Sequence, residues 1–230
     1  MPDVNQIYQS FADRYEALVS REDYEKNLLP AILAVSGLEG KDIIELGAGT
    51  GRLTRLIAPL AGRLTAADLS MHMLSHGRER LPDQHPCSFN LANHLALPYP
   101  ADTANILIAG WSFCYAAIDA EEYWLASLEK ALGEAARVLR PNGTLILIES
   151  LGTGFEQPNK PKVLVDYLAY LEAHGFQSTW IRTDYWFKDR AEAEDLTQFF
   201  FGDDPLPMWE TEGGVIVPEC TGLWWISFVD

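Results

Sequence analysis

The chain is poor in positive charge: 17 Lys and Arg stand against 33 Asp and Glu, a net charge of −16 over 230 residues. Phosphate backbones are bound by clustered Lys and Arg, and the tightest basic cluster, Arg78-Glu79-Arg80, is interrupted by an acid. No nucleic-acid partner is expected. Cysteine is also scarce. Cys87, Cys114 and Cys220 lie far apart with no C-x-x-C pair, which suits free thiols in a reducing cytosol better than a disulfide scaffold. Long apolar runs are missing: the uncharged stretch 106–118 falls short of the roughly 20 residues of a membrane span. Asp3, Asp13 and Glu16 argue against a secretory signal at the start. His72 and His76 have the i, i+4 spacing of helical metal ligands but no third ligand nearby, so a solvated helix face is expected and no metal centre. These absences together describe a cytoplasmic protein that needs neither nucleic acid nor membrane, as a monomer or homodimer.

What is present is a full core composition, 48% hydrophobic, on a length that suits one domain over residues 1–230. The organising stretch is residues 42–51, Asp-Ile-Ile-Glu-Leu-Gly-Ala-Gly-Thr-Gly. A short apolar run that breaks into alternating glycines reads as a buried parallel strand entering a tight turn. Leu53, Leu56, Ile57 and Leu60 then recur at helical spacing, so the turn opens a helix whose free N–H groups face whatever fills the turn.

The rest of the chain alternates strands and helices. Residues 4–35 read as two helical segments, with Ile7, Phe11, Tyr15 and Leu18 on one face. Residues 64–70 read as a second strand ending in Asp68, residues 87–91 as a third, and 105–110 as a fourth, buried on both faces. A helix over 121–139 carries Trp124, Leu128, Leu132, Ala135 and Leu139 on one stripe, and Pro141-Asn142-Gly143 turns it into a fifth strand at 144–148. Helices are expected over 162–174 and 191–201, a sixth strand over 176–187, a turn-rich segment over 202–218 and a last strand over 221–229. The pattern predicts a doubly wound α/β sheet, with ligands outside the carboxyl ends of its strands.

Several motifs carry a resemblance. Glu45-x-Gly47-x-Gly49-x-Gly51 places its third glycine one residue too early for the G-x-G-x-x-G dinucleotide fingerprint. It resembles motif I of the class I methyltransferases that use S-adenosyl-L-methionine (AdoMet). Tyr8-x-x-Phe11-Ala12-x-x-Tyr15 resembles the N-terminal segment of the small-molecule members, Asn93-His94-Leu95-Ala96-Leu97-Pro98-Tyr99 their Asp-Ala-x-x-Leu-Pro-Phe segment, and Arg137-Val138-Leu139-Arg140-Pro141-Asn142-Gly143 their turn into strand five. Two positions depart from the pattern, Asn93 and Asn105, where the family has Asp. The motifs cover about residues 8–150.

The resemblance implies a seven-stranded sheet of order 3-2-1-4-5-7-6 with its last strand antiparallel and an N-terminal helical cap over 1–35; residues 188–218, which depart from a minimal sheet-and-helix core, are expected as a lid insertion. It implies AdoMet as cofactor and S-adenosyl-L-homocysteine as product. It also implies a cofactor site drawn from Tyr8, Tyr15, Glu45, Gly47, Ala48, Gly49, Gly51, Asp68, Leu69, Met73, Asn93, His94, Gly110 and Trp111. Asp68, at the end of the second strand, is placed to accept ribose hydroxyls, with capping of the next helix as its alternative. Leu69 and Met73 would border the adenine, and the Asn93 carbonyl would accept from its amino group. The expected acceptor is a small, apolar or aromatic molecule, for which Tyr8, Tyr15, Trp111, Tyr115, Tyr185 and Trp209 are available as a wall. No catalytic base is evident. An NAD enzyme, a non-catalytic AdoMet-binding protein and a protein methyltransferase are the competing readings.

Overall fold

The computed structural model describes residues 4–82, 85, 87–118 and 121–228. Residues 1–3 of the expected cap and Val229, the expected end of the last strand, lie outside them. Three helices come first: α1 (Val4–Ser10), α2 (Ala12–Val19) and α3 (Leu28–Val35). There follow β1 (Asp42–Leu46), α4 (Arg52–Ile57), β2 (Arg63–Asp68), α5 (Met71–Arg80), β3 (Cys87–Leu91) and β4 (Ala104–Gly110). Next are α6 (Tyr115–Ile118), α7 (Trp124–Val138), β5 (Leu139–Thr153), α8 (Val165–Ala173), β6 (Gln177–Arg182) and β7 (Tyr185–Phe187). The chain ends with α9 (Arg190–Phe201), β8 (Trp209–Thr211), β9 (Gly214–Val217) and β10 (Glu219–Ser227).

The main sheet has seven strands in the order β3-β2-β1-β4-β5-β10-β6, which is 3-2-1-4-5-7-6 when only its own strands are counted. The first five strands pair in parallel, and β10 runs antiparallel to both β5 and β6. Period-2 alternation sends β1 side chains to two apolar layers. Ile44 and Leu46 join Leu128, Ala131, Ala135 and Val138 of α7 on one face. Ile43 joins Leu28 and Ile32 of α3 and Leu53 and Ile57 of α4 on the other. Burying each such aliphatic side chain contributes about 1.5–3 kcal/mol.

Local chemistry changes the expected pattern at three places. The N-terminal helices number three, because Phe11 leaves helical geometry (φ −127°, ψ 35°). Its ring is 44% exposed, against the expected buried face, while Ile7 and Leu18 are buried. On α7 the buried stripe is 128-131-135-138, so Trp124 and Leu132 are only partly covered. Strand β5 begins at Leu139 rather than at the expected 144, and Asn142 (φ 61°) is left-handed where the strand's pairing with β4 shifts register. Gly143 is required for space, since a Cβ there would meet the Arg140 carbonyl oxygen at 2.7 Å.

The largest difference lies near the carboxyl terminus. The expected sixth strand is two strands in different sheets, β6 at the edge of the main sheet and β7 in a three-stranded sheet of order β7-β9-β8. Residues 202–218, expected as turns, supply β8 and β9 of that small sheet. It packs through Phe187, Val215 and Val217 against α9 (Ala193, Leu196) and against Leu18 of α2.

Candidate active site

The glycine turn is built as the spacing requires. Gly47 (φ 68°) and Gly49 (φ 53°) are left-handed, where a Cβ is disfavoured. At Gly47 a Cβ would also strike the Ser112 side chain at 2.1 Å, so that glycine serves packing. At Gly49 it would project to within 3.6 Å of Met73 and 4.0 Å of Tyr15, into the mouth of a cavity.

That cavity, about 490 Å³, lies outside the carboxyl ends of β1, β2 and β4. Of the fourteen expected residues, it brings together Tyr8, Tyr15, Gly47, Gly49, Asp68, Leu69, Met73, His94, Gly110 and Trp111. The Asp68 carboxylate accepts the Gly49 N–H through Oδ2 (2.8 Å) and the Ser70 N–H through Oδ1 (2.8 Å). Each oxygen keeps acceptor capacity for a ligand. Helix α5 is capped by Ser70, whose hydroxyl accepts the Met73 N–H, so Asp68 is not the N-cap. His94 packs edge-on to Phe113, and burial holds its imidazole down to about 4, neutral at ordinary pH. Its Nε2 and that of His72 are buried in the wall with no hydrogen-bond partner among the described residues.

Four expected residues are not in this wall. Glu45 is 1% exposed and accepts the Thr54 hydroxyl at 2.6 Å, because strand alternation points it at α4. Burial pushes its carboxyl up to about 8. Ala48 is buried under α5 with Ala66 and Leu74. Gly51 permits contact with Gly77 of α5, 3.3 Å from where its Cβ would stand. Asn93 is exposed, and its side-chain carbonyl accepts the Leu95 N–H at 2.8 Å, which closes a local turn. Gln9, Ser70, Met71, His72 and Ser112, by contrast, line the cavity although no motif marks them for it, and Tyr115, expected in the acceptor wall, lines it too. His72 is therefore wall rather than solvated face.

A second cavity, about 210 Å³, adjoins the first through Tyr8, Tyr15, Trp111 and Tyr115. Trp111 divides them in a left-handed conformation (φ 51°), a strained state for a bulky residue that is held by its N–H bond to the Ile148 carbonyl (2.7 Å). The Arg52 guanidinium covers the Trp111 ring at 4.2 Å. Tyr185, Phe200 and Phe201 close the far side, along with Glu22, Glu149 and Glu219. Trp209, expected in an aromatic wall, is 39% exposed on β8 and lines neither cavity. The three carboxylates have no sequence signature, because they come from distant segments that only the fold brings together.

Helices α1 and α2 cover both cavities. The Ser70 hydroxyl donates to the Tyr8 carbonyl (2.9 Å), the Thr50 hydroxyl donates to Glu16, and Arg55 pairs with Glu16 at 2.7 Å. Arg14 reaches Asp195 of α9 at 2.6 Å and Arg21 reaches Glu192 at 2.7 Å. No helix among the described residues is long and apolar enough to cross a membrane.

Comparison with known proteins agrees with this geometry. The methyltransferase domain family matches residues 44–147. A demethylmenaquinone methyltransferase of Symbiobacterium thermophilum is 29% identical over 64% of this chain and 59% of its own length. A ubiquinone/menaquinone biosynthesis C-methyltransferase of Hahella chejuensis is 33% identical over 57% of this chain and 49% of its own. The chain thus spans about half the length of these relatives. The crystal structure of a SAM-dependent methyltransferase from Aquifex aeolicus superposes with a TM-score of 0.54 at 15% identity, covering 99% of this chain and 94% of that one. With strand order, glycine turn and sequence match in accord, residues 44–147 of this chain are similar to the methyltransferase domain family and sit in a sheet of the class I methyltransferase order.

Proposed function

We propose that the chain transfers the methyl group of AdoMet to a small aromatic acceptor held in the second cavity. The observation that carries this is the pairing of cavities. A larger one is walled by the glycine turn and Asp68, and a smaller one by aromatic rings, with Tyr8, Tyr15, Trp111 and Tyr115 shared between them. The residues of the larger cavity suit the cofactor. Asp68 has lone pairs for ribose hydroxyls, Leu69, Met71 and Met73 offer apolar surface to adenine, and the orphaned Nε2 atoms of His72 and His94 await polar partners. The methionine end would lie by Gly47, Gly49, Gly110 and the Tyr15 ring.

When bound, AdoMet supplies a methyl carbon activated by sulfonium, which an in-line nucleophile displaces from sulfur. The chain itself then has to orient the acceptor and exclude water. Tyr8 and Tyr15, in edge-to-face contact at 5.6 Å, close the space above the shared wall. The quinone rings named for two relatives belong to the same chemical class as the acceptor proposed here. Calorimetry with S-adenosylhomocysteine and NAD, followed by methyl-transfer assays on hydroquinones and phenols, tests the reading. Binding of S-adenosylhomocysteine but not NAD, with turnover of an aromatic acceptor, is expected. NAD binding without S-adenosylhomocysteine binding would overturn it.

A further inference from the structure

The second cavity holds an unusual polar group for so aromatic a wall. Glu22, three residues beyond the end of α2, pairs with Arg52 through Oε2 and stands against the Tyr185 hydroxyl, which hydrogen-bonds to its carboxylate. Glu219, at the start of β10, accepts the Ser150 hydroxyl at 2.6 Å through Oε1, while its Oε2 is buried and unpartnered among the described residues. Arg52 adds an unpartnered Nη2. Glu22 and Glu219 are 9% and 2% exposed, and all three residues line the cavity. Leaving such groups unpaired is costly, so a site of this kind is completed by a ligand that pairs them.

The set of orphaned atoms selects the ligand chemistry. An ammonium offers donors only, so it would leave Arg52 Nη2 unpaired and set a cation beside the guanidinium. A carboxylate offers acceptors only and would face two acids. A hydroxyl donates one proton and accepts another, which matches one carboxylate oxygen, Glu219 Oε2, and one guanidinium nitrogen, Arg52 Nη2, with Glu22 left to the Tyr185 hydroxyl beside it. The walls of Tyr8, Trp111, Tyr115, Tyr185 and Phe200 favour a ring to carry it. Glu149, the third acid, is already engaged by the Cys114 N–H (3.0 Å) and the Tyr167 hydroxyl (3.1 Å).

We propose that the acceptor is a phenol-type hydroxyl compound, its hydroxyl seated between Glu219 and Arg52, with Glu219 Oε2 as the base that takes its proton. The proposal rests on the methyl-transfer reading above and adds a substrate class and a catalytic residue to it. The O–H bond breaks with its proton on Glu219, and the electron pair stays on the acceptor oxygen. Arg52 then faces the phenolate with positive charge. Burial, reinforced by the neighbouring Glu22 charge, raises the Glu219 carboxyl well above the usual carboxylate range, which strengthens it as a proton acceptor once ionised. The groups that face this pair are Arg52, Tyr15 and Tyr185, with the Ser150 and Thr153 hydroxyls on β5.

The test uses the full chain saturated with S-adenosylhomocysteine and three probes of one ring size: 2-naphthol, 2-methoxynaphthalene and 1-naphthylmethylammonium. Calorimetry should rank 2-naphthol tightest, by about tenfold or more over both others. Bound 2-naphthol should show the naphtholate absorbance band in the wild type and lose it in Glu219→Gln. Glu219→Gln should also erase most of the preference while S-adenosylhomocysteine affinity stays as in the wild type. If the variant does not fold, the wild-type ranking and its absorbance band still decide. Tightest binding of the ammonium, equal binding of all three, or no probe binding to a protein that holds S-adenosylhomocysteine would overturn the proposal. Failure to hold S-adenosylhomocysteine at all would overturn the methyl-transfer reading itself, and this one with it.

Discussion

The Asp68 carboxylate accepts the Gly49 backbone N–H at 2.8 Å, which ties the end of β2 to the glycine turn after β1. One side chain thereby fixes two walls of the larger cavity, and its other oxygen holds the Ser70 N–H at the mouth of α5. On the proposed function, binding and local structure are therefore coupled at this residue.

Asp68→Ala should abolish measurable S-adenosylhomocysteine binding and also lower stability, by about 1–3 kcal/mol for two buried N–H groups that lose a charged acceptor. Asp68→Asn, which keeps one acceptor oxygen, should recover part of the stability but little of the affinity. Calorimetry and urea melts on both variants separate the two effects. Wild-type affinity in Asp68→Ala would assign the residue to the turn alone.

Gly49→Val should remove cofactor binding at a modest cost to folding. The left-handed φ of 53° disfavours any Cβ by about 1–2 kcal/mol, and a β-branched side chain more so. The side chain would project toward Met73 and Tyr15 in the cavity mouth. Gly51→Ala is the control. Its Cβ would press on Gly77 behind the turn, so stability should fall with less effect on the affinity of the folded fraction. Similar affinities in the two variants would show that the cavity at Gly49 is not the cofactor site.

Glu45 predicts a pH dependence of stability. Burial raises its folded pKa from 4.5 to about 8, so the folded state binds the proton more tightly than the unfolded state between those limits. Stability contributed by this group is full below pH 4.5 and is lost as pH rises through 8. Glu45→Gln keeps an oxygen for the Thr54 hydroxyl and has no charge to bury. Relative to wild type it should gain little at pH 4.5 and a few kcal/mol at pH 9, since each tenfold difference in proton affinity between the two states is worth about 1.4 kcal/mol. An equal difference at both pH values would show that Glu45 ionises freely in the folded protein.

How far the sequence could be read depends on how local each signal is. The glycine turn, Asp68, Leu69 and Met73 were legible because strand, turn and helix N-terminus follow one another closely and their backbone demands are written in residue type. Glu45 misled because a motif gives spacing but not facing, and alternation along β1 turns it toward Thr54. Asn93 misled because an amide can satisfy its own turn before it reaches a ligand. The three-stranded sheet was hidden because β7, β8 and β9 are only three or four residues long, and β8 is wholly exposed, which leaves no apolar alternation to detect. Glu22, Arg52 and Glu219 meet only through the packing of three distant segments, and nothing local marks them as a group.

The cover formed by α1 and α2 gives the last prediction. Neither apolar layer of the main sheet contains a residue from 4–19, so the sheet does not need these helices for its core. The cavities do: Tyr8, Gln9 and Tyr15 stand in their walls, and Glu16 clamps the turn through Thr50 and Arg55. Leu18 also fills the core under the β7-β9-β8 sheet, and losing a buried leucine there costs roughly 2–5 kcal/mol. Deleting residues 1–20 should therefore leave the far-ultraviolet signature of the seven-stranded sheet, loosen residues 185–217 to hydrogen exchange, and reduce S-adenosylhomocysteine affinity by more than about tenfold through lost contacts and admitted water. The point substitution Glu16→Ala should weaken binding in the same direction with the small sheet intact, because it releases only the clamp. A truncated protein that binds S-adenosylhomocysteine as tightly as the full chain would show that α1 and α2 merely lie beside the site, and the cover would have to be sought in α9 alone.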